Sequence, residues 1–382
     1  TAYLKTHYPA AFLAASMSAD MNNTDNIQIF FEDCKPNSVE LLAPDINQSV
    51  FEFIPTNTTQ ILYGLGAIKG TGLAAIELIL ESRESKGPFK NLFDFCARLD
   101  LRKVNRRVVE SLIRGGAFDT LEPNRASLLA SVNLAITAAE QGKANIAQNS
   151  LFGEEQTQKV DMVHMDPWTP QQKLQEEKAA LGFYFSGHPF TFFEKRVRPF
   201  IKTQIKELKP QEQPYVIAGV IVAIRIRMTS RGKMAIVTLD DAISRVDVVV
   251  GNDLLTQSQR LVQEDQLLIV EGRVSHDDFT GGIRVTARKL FDLATARNQF
   301  AHHLKISCNG QSDANKLREM LKPYCGHPQH DLKRCRVKID YHNDQGHVEL
   351  LLGREWQVDL HDELLDGLTQ WLSEENVKIL YN

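Results

Sequence analysis

At 382 residues the chain is too long for one small core and divides into about two to four domains. Its composition, 43% hydrophobic and 24% charged, is that of a soluble globular protein. A net charge of −4 excludes a uniformly basic nucleic-acid binder, so any nucleic-acid contact comes from local patches. No apolar run approaches the ~20 residues that cross a bilayer. Residues 1–9 carry neither a start methionine nor a signal pattern, as expected of the interior of a longer protein. The five cysteines (Cys34, Cys96, Cys308, Cys325 and Cys335) are scattered and form no Cys-x-x-Cys pair, which predicts reduced thiols in a cytoplasmic protein.

Residues 1–20 read as helical, with Pro9 near a start. Asn22, Asn23, Thr24 and Asp25 offer caps for a helix carrying Ile27, Ile29, Phe30 and Phe31. Residues 39–47 are strand-like and end at proline. This part of the chain packs rather than reacts. Residues 61–68 lead into Lys69-Gly70-Thr71-Gly72, and a helix with apolar positions Leu73, Ile76, Ile79 and Leu80 follows. Glycines at that point allow the positive φ and close approach of a tight hairpin between two helices. Amides left unpaired at the helix start attract an anion. The stretch resembles a helix-hairpin-helix motif, in which Gly66, Lys69, Gly70, Thr71 and Gly72 would grip a DNA phosphate without reading sequence. A glycine turn that serves packing alone is the alternative. The Gly-x-x-x-x-Gly-Lys-Ser/Thr order of a nucleotide phosphate loop is absent.

Residues 98–117 read as a companion helix pair. Arg98, Arg102, Lys103, Arg106, Arg107 and Arg114 face only Asp100 and Glu110, a local excess of four positive charges. Val104, Val108, Leu112 and Ile113 give the stretch an apolar stripe, and Gly115-Gly116 stops it. A basic helix beside a glycine hairpin is a track for the backbone of duplex DNA, with Arg102, Lys103, Arg106 and Arg107 as the contacts. A solvated cationic face is the plainer reading. A further helix over 128–139 runs out into a loop that holds Gln148-Asn149-Ser150-Leu151-Phe152. An exposed Leu-Phe pair in a polar loop calls for a partner that buries it. Burial of both contributes about 3–6 kcal/mol before ordering costs. The Gln-x-x-Leu-Phe form resembles the peptide by which bacterial polymerases dock on the ring-shaped sliding clamp. A loop whose Leu-Phe tucks onto its own domain is the alternative.

Pro167-Trp168-Thr169-Pro170 starts a helix that reaches Leu181. Residues 215–227, 234–240, 245–250, 266–275 and 283–293 then read as five strands, with a short helix over about 253–261 between the third and fourth. That order is the order of an OB barrel. Arg225, Arg227, Arg231 and Lys233 cluster at its first hairpin as candidate contacts to single-stranded DNA. Tyr215, Phe279 and Phe291 are the few aromatics available to stack on bases, so weak single-strand binding is expected, and a mainly structural barrel is the alternative. From 300 onward the pattern is a smaller α/β unit, with strands at 304–306, 335–341, 348–352 and 377–381 and helices at 312–321 and 362–373. Cys325, His327 and His330 match no standard zinc spacing, so no metal site is expected.

Several stretches resemble, in order along the chain, the alpha subunit of bacterial DNA polymerase III. They are Tyr3-Leu4-Lys5 and His7-Tyr8-Pro9; Pro44-Asp45-Ile46-Asn47; Gly115-Gly116-Ala117-Phe118-Asp119; and Glu177-Lys178, Leu181-Gly182-Phe183-Tyr184 and Ser186-Gly187-His188-Pro189. The resemblance implies a multidomain α+β chain corresponding to that family's C-terminal portion. Residues 1–55 would be the end of the fingers, 56–145 a helix-hairpin-helix clamp-binding domain and 146–155 the clamp-binding loop. Connecting helices at 156–210, an OB domain at 211–295 and a small α/β module that binds the clamp-loader tau subunit at 296–382 would follow. It implies duplex DNA, the sliding clamp and tau as partners, single-stranded DNA as a further one, and no membrane. The family's magnesium-dependent polymerase chemistry uses palm carboxylates in an Asp-x-Asp arrangement. Asp240-Asp241, Asp277-Asp278 and Glu154-Glu155 do not supply it, so the chain is expected to hold no catalytic residue and no cofactor. A stand-alone DNA-binding or repair factor and an error-prone paralogue of the polymerase are the alternatives.

Overall fold

The computed structural model describes residues 1–149, 161–229, 232–276, 281–309, 312–325, 333–344 and 346–381, with the backbone alone for 143–149. The chain divides into two compact units, Thr1–His188 and Pro189–Asn382.

The first unit is mainly helical. Helix α1 (Ala2–His7) breaks at Tyr8, held at φ −135° before Pro9, and the proline opens α2 (Pro9–Ala19). Asn23 caps α3 (Thr24–Cys34) by accepting from the amides of Asp25 and Asn26. Strands β1 (Glu40–Leu42), β2 (Ile54–Pro55) and β3 (Gln60–Leu62) form a small sheet in the order β1-β3-β2. Then come α4 (Leu73–Lys86), α5 (Leu92–Arg98), α6 (Arg106–Arg114), α7 (Arg125–Asn149) and α8 (Pro170–Leu181). Thr169 caps α8 with Pro170 at its first position, as the sequence predicts. One core runs through the unit: Leu13, Met17 and Ile27 share it with Tyr63, Phe95, Phe118, Val132 and Phe183. Packing is therefore continuous across position 55, and α8 belongs to this core rather than to a connector.

At the centre of the unit sits a buried charge. Arg125 is 6% exposed and Glu177 0%. The Arg125 guanidinium donates to both Asp119 oxygens (2.7 and 2.6 Å), to Glu177 Oε1 (3.1 Å) and to the carbonyl of Arg114 (3.0 Å). Glu177 Oε2 accepts from the Ser186 amide at 2.9 Å. Burial works against the arginine's charge, but the hydrogen bonds and charges of Asp119 and Glu177 outweigh it and hold its pKa above the ordinary value. Gly116, at φ +90°, leaves room for it, since a Cβ there would stand 2.3 Å from Arg125 Nη2.

The second unit opens with α9 (Thr191–Val197). A closed barrel follows, made of β4 (Tyr215–Thr229), β5 (Gly232–Asp240), β6 (Arg245–Val250), β7 (Leu267–His276) and β8 (Ile283–Phe291) in the order β4-β5-β6-β8-β7, with α10 (Asn252–Gln257) between β6 and β7. Parallel pairing of β6 with β8 closes it, and Ile217, Val237, Val248, Val270 and Val285 fill it. The sequence did not anticipate α11 (Leu293–Phe300), which begins where the last strand was expected to end. Beyond it lie β9 (Ala301–Asn309), α12 (Ala314–Leu321), β10 (Arg336–Asn343), β11 (Gly346–Leu351), α13 (Asp362–Leu372) and β12 (Val377–Tyr381). Their sheet runs β11-β10-β9-β12, with β9 and β10 parallel.

The barrel and this terminal module are fastened together. Arg297, 5% exposed, reaches Asp362 at 2.6 Å and the Leu360 carbonyl at 3.1 Å, while Asn298 accepts from the Leu360 amide at 2.9 Å. Arg196 also pairs with Asp362. Phe200 packs against both Phe300 and Tyr381, with ring centroids 5.8 and 5.0 Å away.

Removal of one partner from a buried ion pair leaves the other uncompensated. Arg125→Ala should therefore lower the stability of the first unit by about 3–5 kcal/mol, read as a reduced urea midpoint. Arg106→Ala, whose bond to Glu110 comes from a side chain 61% exposed, should change it by about 0–1 kcal/mol.

Candidate nucleic-acid interface

The glycine stretch before α4 is not a turn between two α-helices. Ile61 and Leu62 end β3, a 3₁₀ turn spans Leu65–Ala67, and only then does the chain reach α4. Tyr63 and Leu65 are fully buried, so the upstream arm is fixed by the core and does not need helical form. Gly66 faces the ring of Phe51, where a Cβ would stand 2.5 Å from ring carbon; its role is close packing. The turn itself is closed by Thr71, whose hydroxyl donates to the carbonyls of Leu65 (2.8 Å) and Ile68 (2.7 Å). The Lys69 amide donates to the Ala180 carbonyl at 2.7 Å and ties the turn to the end of α8. Gly70 sits at φ +85°. Gly72 is the N-cap of α4 and supplies no side-chain cap, so the first amides of α4 lack one of their usual acceptors. Leu73, expected in the apolar stripe, is 52% exposed beside them.

The turn rests on the start of α6. A Cβ on Gly70 would lie 3.4 Å from Ser111 Oγ and 3.7 Å from Arg107 Nε. Asn105 caps α6 by accepting from the Val108 amide. Arg102, Lys103, Arg106 and Arg107 are all exposed around this point, as is Lys69. Arg106 pairs with Glu110 at 2.6 Å. Among the described residues the side chains of Lys69, Arg102, Lys103 and Arg107 meet no carboxylate. The other two cations of the stretch have structural work. Arg98 pairs with Asp94 and donates to the Gly87 carbonyl, and Arg114 spans Glu110 and Glu176. The basic patch is thus smaller than the sequence count, and it adjoins the glycine turn.

The clamp peptide falls at the edge of what is described. Gln148 and Asn149, read from sequence as loop, are the last helical residues of α7. Ser150, Leu151 and Phe152 lie outside the described residues, as do Glu154, Glu155, Arg231, Asp277, Asp278, Phe279, His327 and His330.

In the second unit the β4–β5 hairpin extends past the barrel. Arg227 and Lys233 are exposed on it, but Arg225 is paired with Asp247 at 2.7 Å, and Thr238 binds the same carboxylate. On the hairpin's alternate positions Ile226 and Met228 stand 64% and 75% exposed. Of the expected stacking aromatics, Phe291 is 8% exposed in a core shared with Phe190 and Ile269, and Tyr215 packs against the barrel interior. Asp240 and Asp241 make a turn. Asp240 accepts from the Ala242 amide and pairs with Arg245 at 2.7 Å. Asp241 accepts from the amides of Ile205, Ile243 and Ser244. Carboxylates engaged in this way do not fit a pair of catalytic magnesium ions. Among the described residues no group of three or more His, Cys, Asp or Glu is placed to hold a metal. No helix there is long and apolar enough to cross a membrane.

A feature missed from the sequence lies on β7 and β8, where Arg273, Ser275, Thr286 and Arg288 line one open groove. Alternation of Arg-x-Ser with Thr-x-Arg was the available signal, but it reads as the ordinary polar face of a strand.

Three family profiles match the chain: a helix-hairpin-helix motif over residues 38–128, an OB-fold nucleic acid binding domain over 215–293, and the DNA polymerase III subunit alpha C-terminal domain over 316–372. Curated relatives named DNA polymerase III subunit alpha align along the whole length. The Neisseria meningitidis serogroup A protein is 40% identical over 99% of this chain and 33% of its own length. The proteins from Vibrio cholerae and Escherichia coli K12 are each 39% identical over 100% of this chain and 34% of theirs. The chain thus spans about a third of the length of the relatives it matches.

Gly70→Ala places a side chain in the left-handed region with ordinary room around it. It should cost about 1–2 kcal/mol of unfolding free energy with the fold retained, measured by thermal melting with circular dichroism as the check on structure.

Proposed function

Because the chain belongs to the DNA polymerase III alpha-subunit family, we propose that it is the C-terminal third of a DNA-directed DNA polymerase of chromosomal replication. In this reading it works in the cytoplasm and holds the enzyme's attachments rather than its chemistry. The palm carboxylates and their magnesium ions lie in the remainder of the polymerase. The helical unit grips duplex DNA through its phosphates. Unpaired amides at the start of α4 and the side chains of Lys69, Arg102, Lys103, Arg106 and Arg107 supply the positive field, and none of these contacts reads a base.

The observation that carries the reading is the seating of the Gly70 turn against Arg107 at the start of α6. It sets helix-start amides and free guanidinium groups on one surface. The segment Gln148–Phe152, whose first two residues end α7, engages the sliding clamp. The barrel meets single-stranded DNA through Arg225, Arg227, Arg231 and Lys233 at its first hairpin. The terminal module engages the clamp-loader tau subunit. Its edge strand β11 supports that assignment, because all six residues are exposed, Val348, Leu350 and Leu351 among them, and one side of the strand is unpaired among the described residues. Several modest contacts on one chain raise each other's effective concentration, so a strong hold needs no single tight site.

Titration with a labelled duplex over a salt series tests the helical unit. Lys103→Ala with Arg107→Ala should reduce the slope of log K against log salt by about 1.8, at ~0.9 per phosphate contact. An unchanged slope would remove these residues from the interface. Leu151→Ala with Phe152→Ala should weaken binding to the clamp by roughly 100-fold or more while melting is unaltered. Calorimetric titration against the ring measures it, and unchanged affinity would refute the peptide's role.

A further inference from the structure

The groove on β7 and β8 has a defined origin. Val274 faces Val285 across the two strands and both point into the barrel, at 2% and 0% exposure. Their neighbours Arg273, opposite Thr286, and Ser275 therefore face outward. The register then slips. Glu271 pairs with Lys289 and Gly272 with Ala287, which leaves Arg288 as the additional residue of a β-bulge. A bulge re-aims the side chain it carries. Gly272 permits this one, because a Cβ there would stand 2.6 Å from Val285 Cγ1 and 2.8 Å from the Thr286 carbonyl oxygen.

The result is an open groove of about 390 Å³ lined by Arg273, Ser275, Thr286 and Arg288, with no carboxylate among them. Nearby Lys289 is paired with Glu271. Among the described residues, Arg273 and Arg288 are without an acidic partner. Two guanidinium forks with a hydroxyl beside each match the oxygens of a phosphate group. Two like charges sharing one concavity are also relieved by an anion between them.

We propose that this groove binds a phosphodiester of single-stranded nucleic acid, as a contact separate from the β4–β5 hairpin. The inference rests on the reading that the barrel meets a single strand, and it extends the path of that strand. β8 lies beside β6, and β6 beside β5, so the groove is about 10 Å from β5 at ~4.8 Å per strand spacing. That is within the reach of the roughly 4–16 nucleotides that an OB barrel engages. An open groove holds a lone phosphate weakly, whereas a strand already tethered at the hairpin presents its phosphates at high effective concentration.

The test is an anisotropy titration of this chain with labelled oligo(dT) over a salt series. It is run in a Lys103→Ala, Arg107→Ala background so that the helical unit contributes little. Arg273→Ala with Arg288→Ala should weaken binding about tenfold or more and lower the salt slope by about 1.4, at ~0.7 per single-strand phosphate. Arg273→Lys with Arg288→Lys, which keeps charge and loses the fork, should give a smaller loss. Melting temperatures should be unchanged, since both side chains are exposed. Undiminished affinity and slope in the double alanine variant, with a loss in Arg225→Ala plus Arg227→Ala, would overturn the groove and leave the barrel reading standing. Binding insensitive to both pairs would overturn both. Inorganic pyrophosphate bound more tightly than the oligonucleotide, and dependent on Arg273 and Arg288, would mark a small-anion site and overturn the strand contact.

Discussion

The helical unit depends on one buried guanidinium. Arg125 draws Asp119, the Arg114 carbonyl and Glu177 to a single point, and Glu177 in turn holds the Ser186 amide. A charge removed from water is tolerated only where its hydrogen-bond partners are in place. Each of those partners comes from a different stretch of chain, so the start of α7, the loop after α6 and the end of α8 have one joint arrangement. That arrangement sets α8 against the hairpin, because the Ala180 carbonyl accepts from the Lys69 amide. The buried pair and the exposed turn are therefore parts of one construction: internal charge fixes the frame on which the external charge is displayed.

A second pattern concerns which cations are left over. The chain as a whole is acidic, at −4, and many of its arginines already have a carboxylate. Arg98, Arg114, Arg125, Arg225, Arg245 and Arg297 are all occupied in this way. Among the described residues, Lys69, Arg102, Lys103 and Arg107 near the glycine turn and Arg273 and Arg288 on the outer face of the barrel are without a carboxylate. Charge counting along a sequence does not make this distinction, because pairing depends on partners far away, such as Glu176 for Arg114.

Much of the architecture is legible in the sequence where local chemistry decides it. Asn23 and Thr169 cap helices where the sequence places helix starts, and the alternating Val and Ile runs form the barrel strands. The misreadings have a common physical source, which is that tertiary packing overrode local form. Residues before the glycine turn form a strand and a 3₁₀ turn because Tyr63 and Leu65 are locked in the core. Leu73 matched an apolar stripe but lies at a helix start outside the core. Phe291 looked available for stacking and is instead part of the packing under α9 and α11. The register slip at Gly272 is invisible without a partner strand, and with it the placement of Arg288.

The fastening between barrel and terminal module has a mechanical meaning. Tyr381, in the last strand, leans on Phe200, which precedes the barrel, while Asp362 is shared by Arg196 from before the barrel and Arg297 from after it. The barrel is thereby clasped from both flanks by the module that follows it. A load on that module is therefore carried to the segments flanking the barrel by an ion-pair cluster and stacked rings rather than by a slack linker.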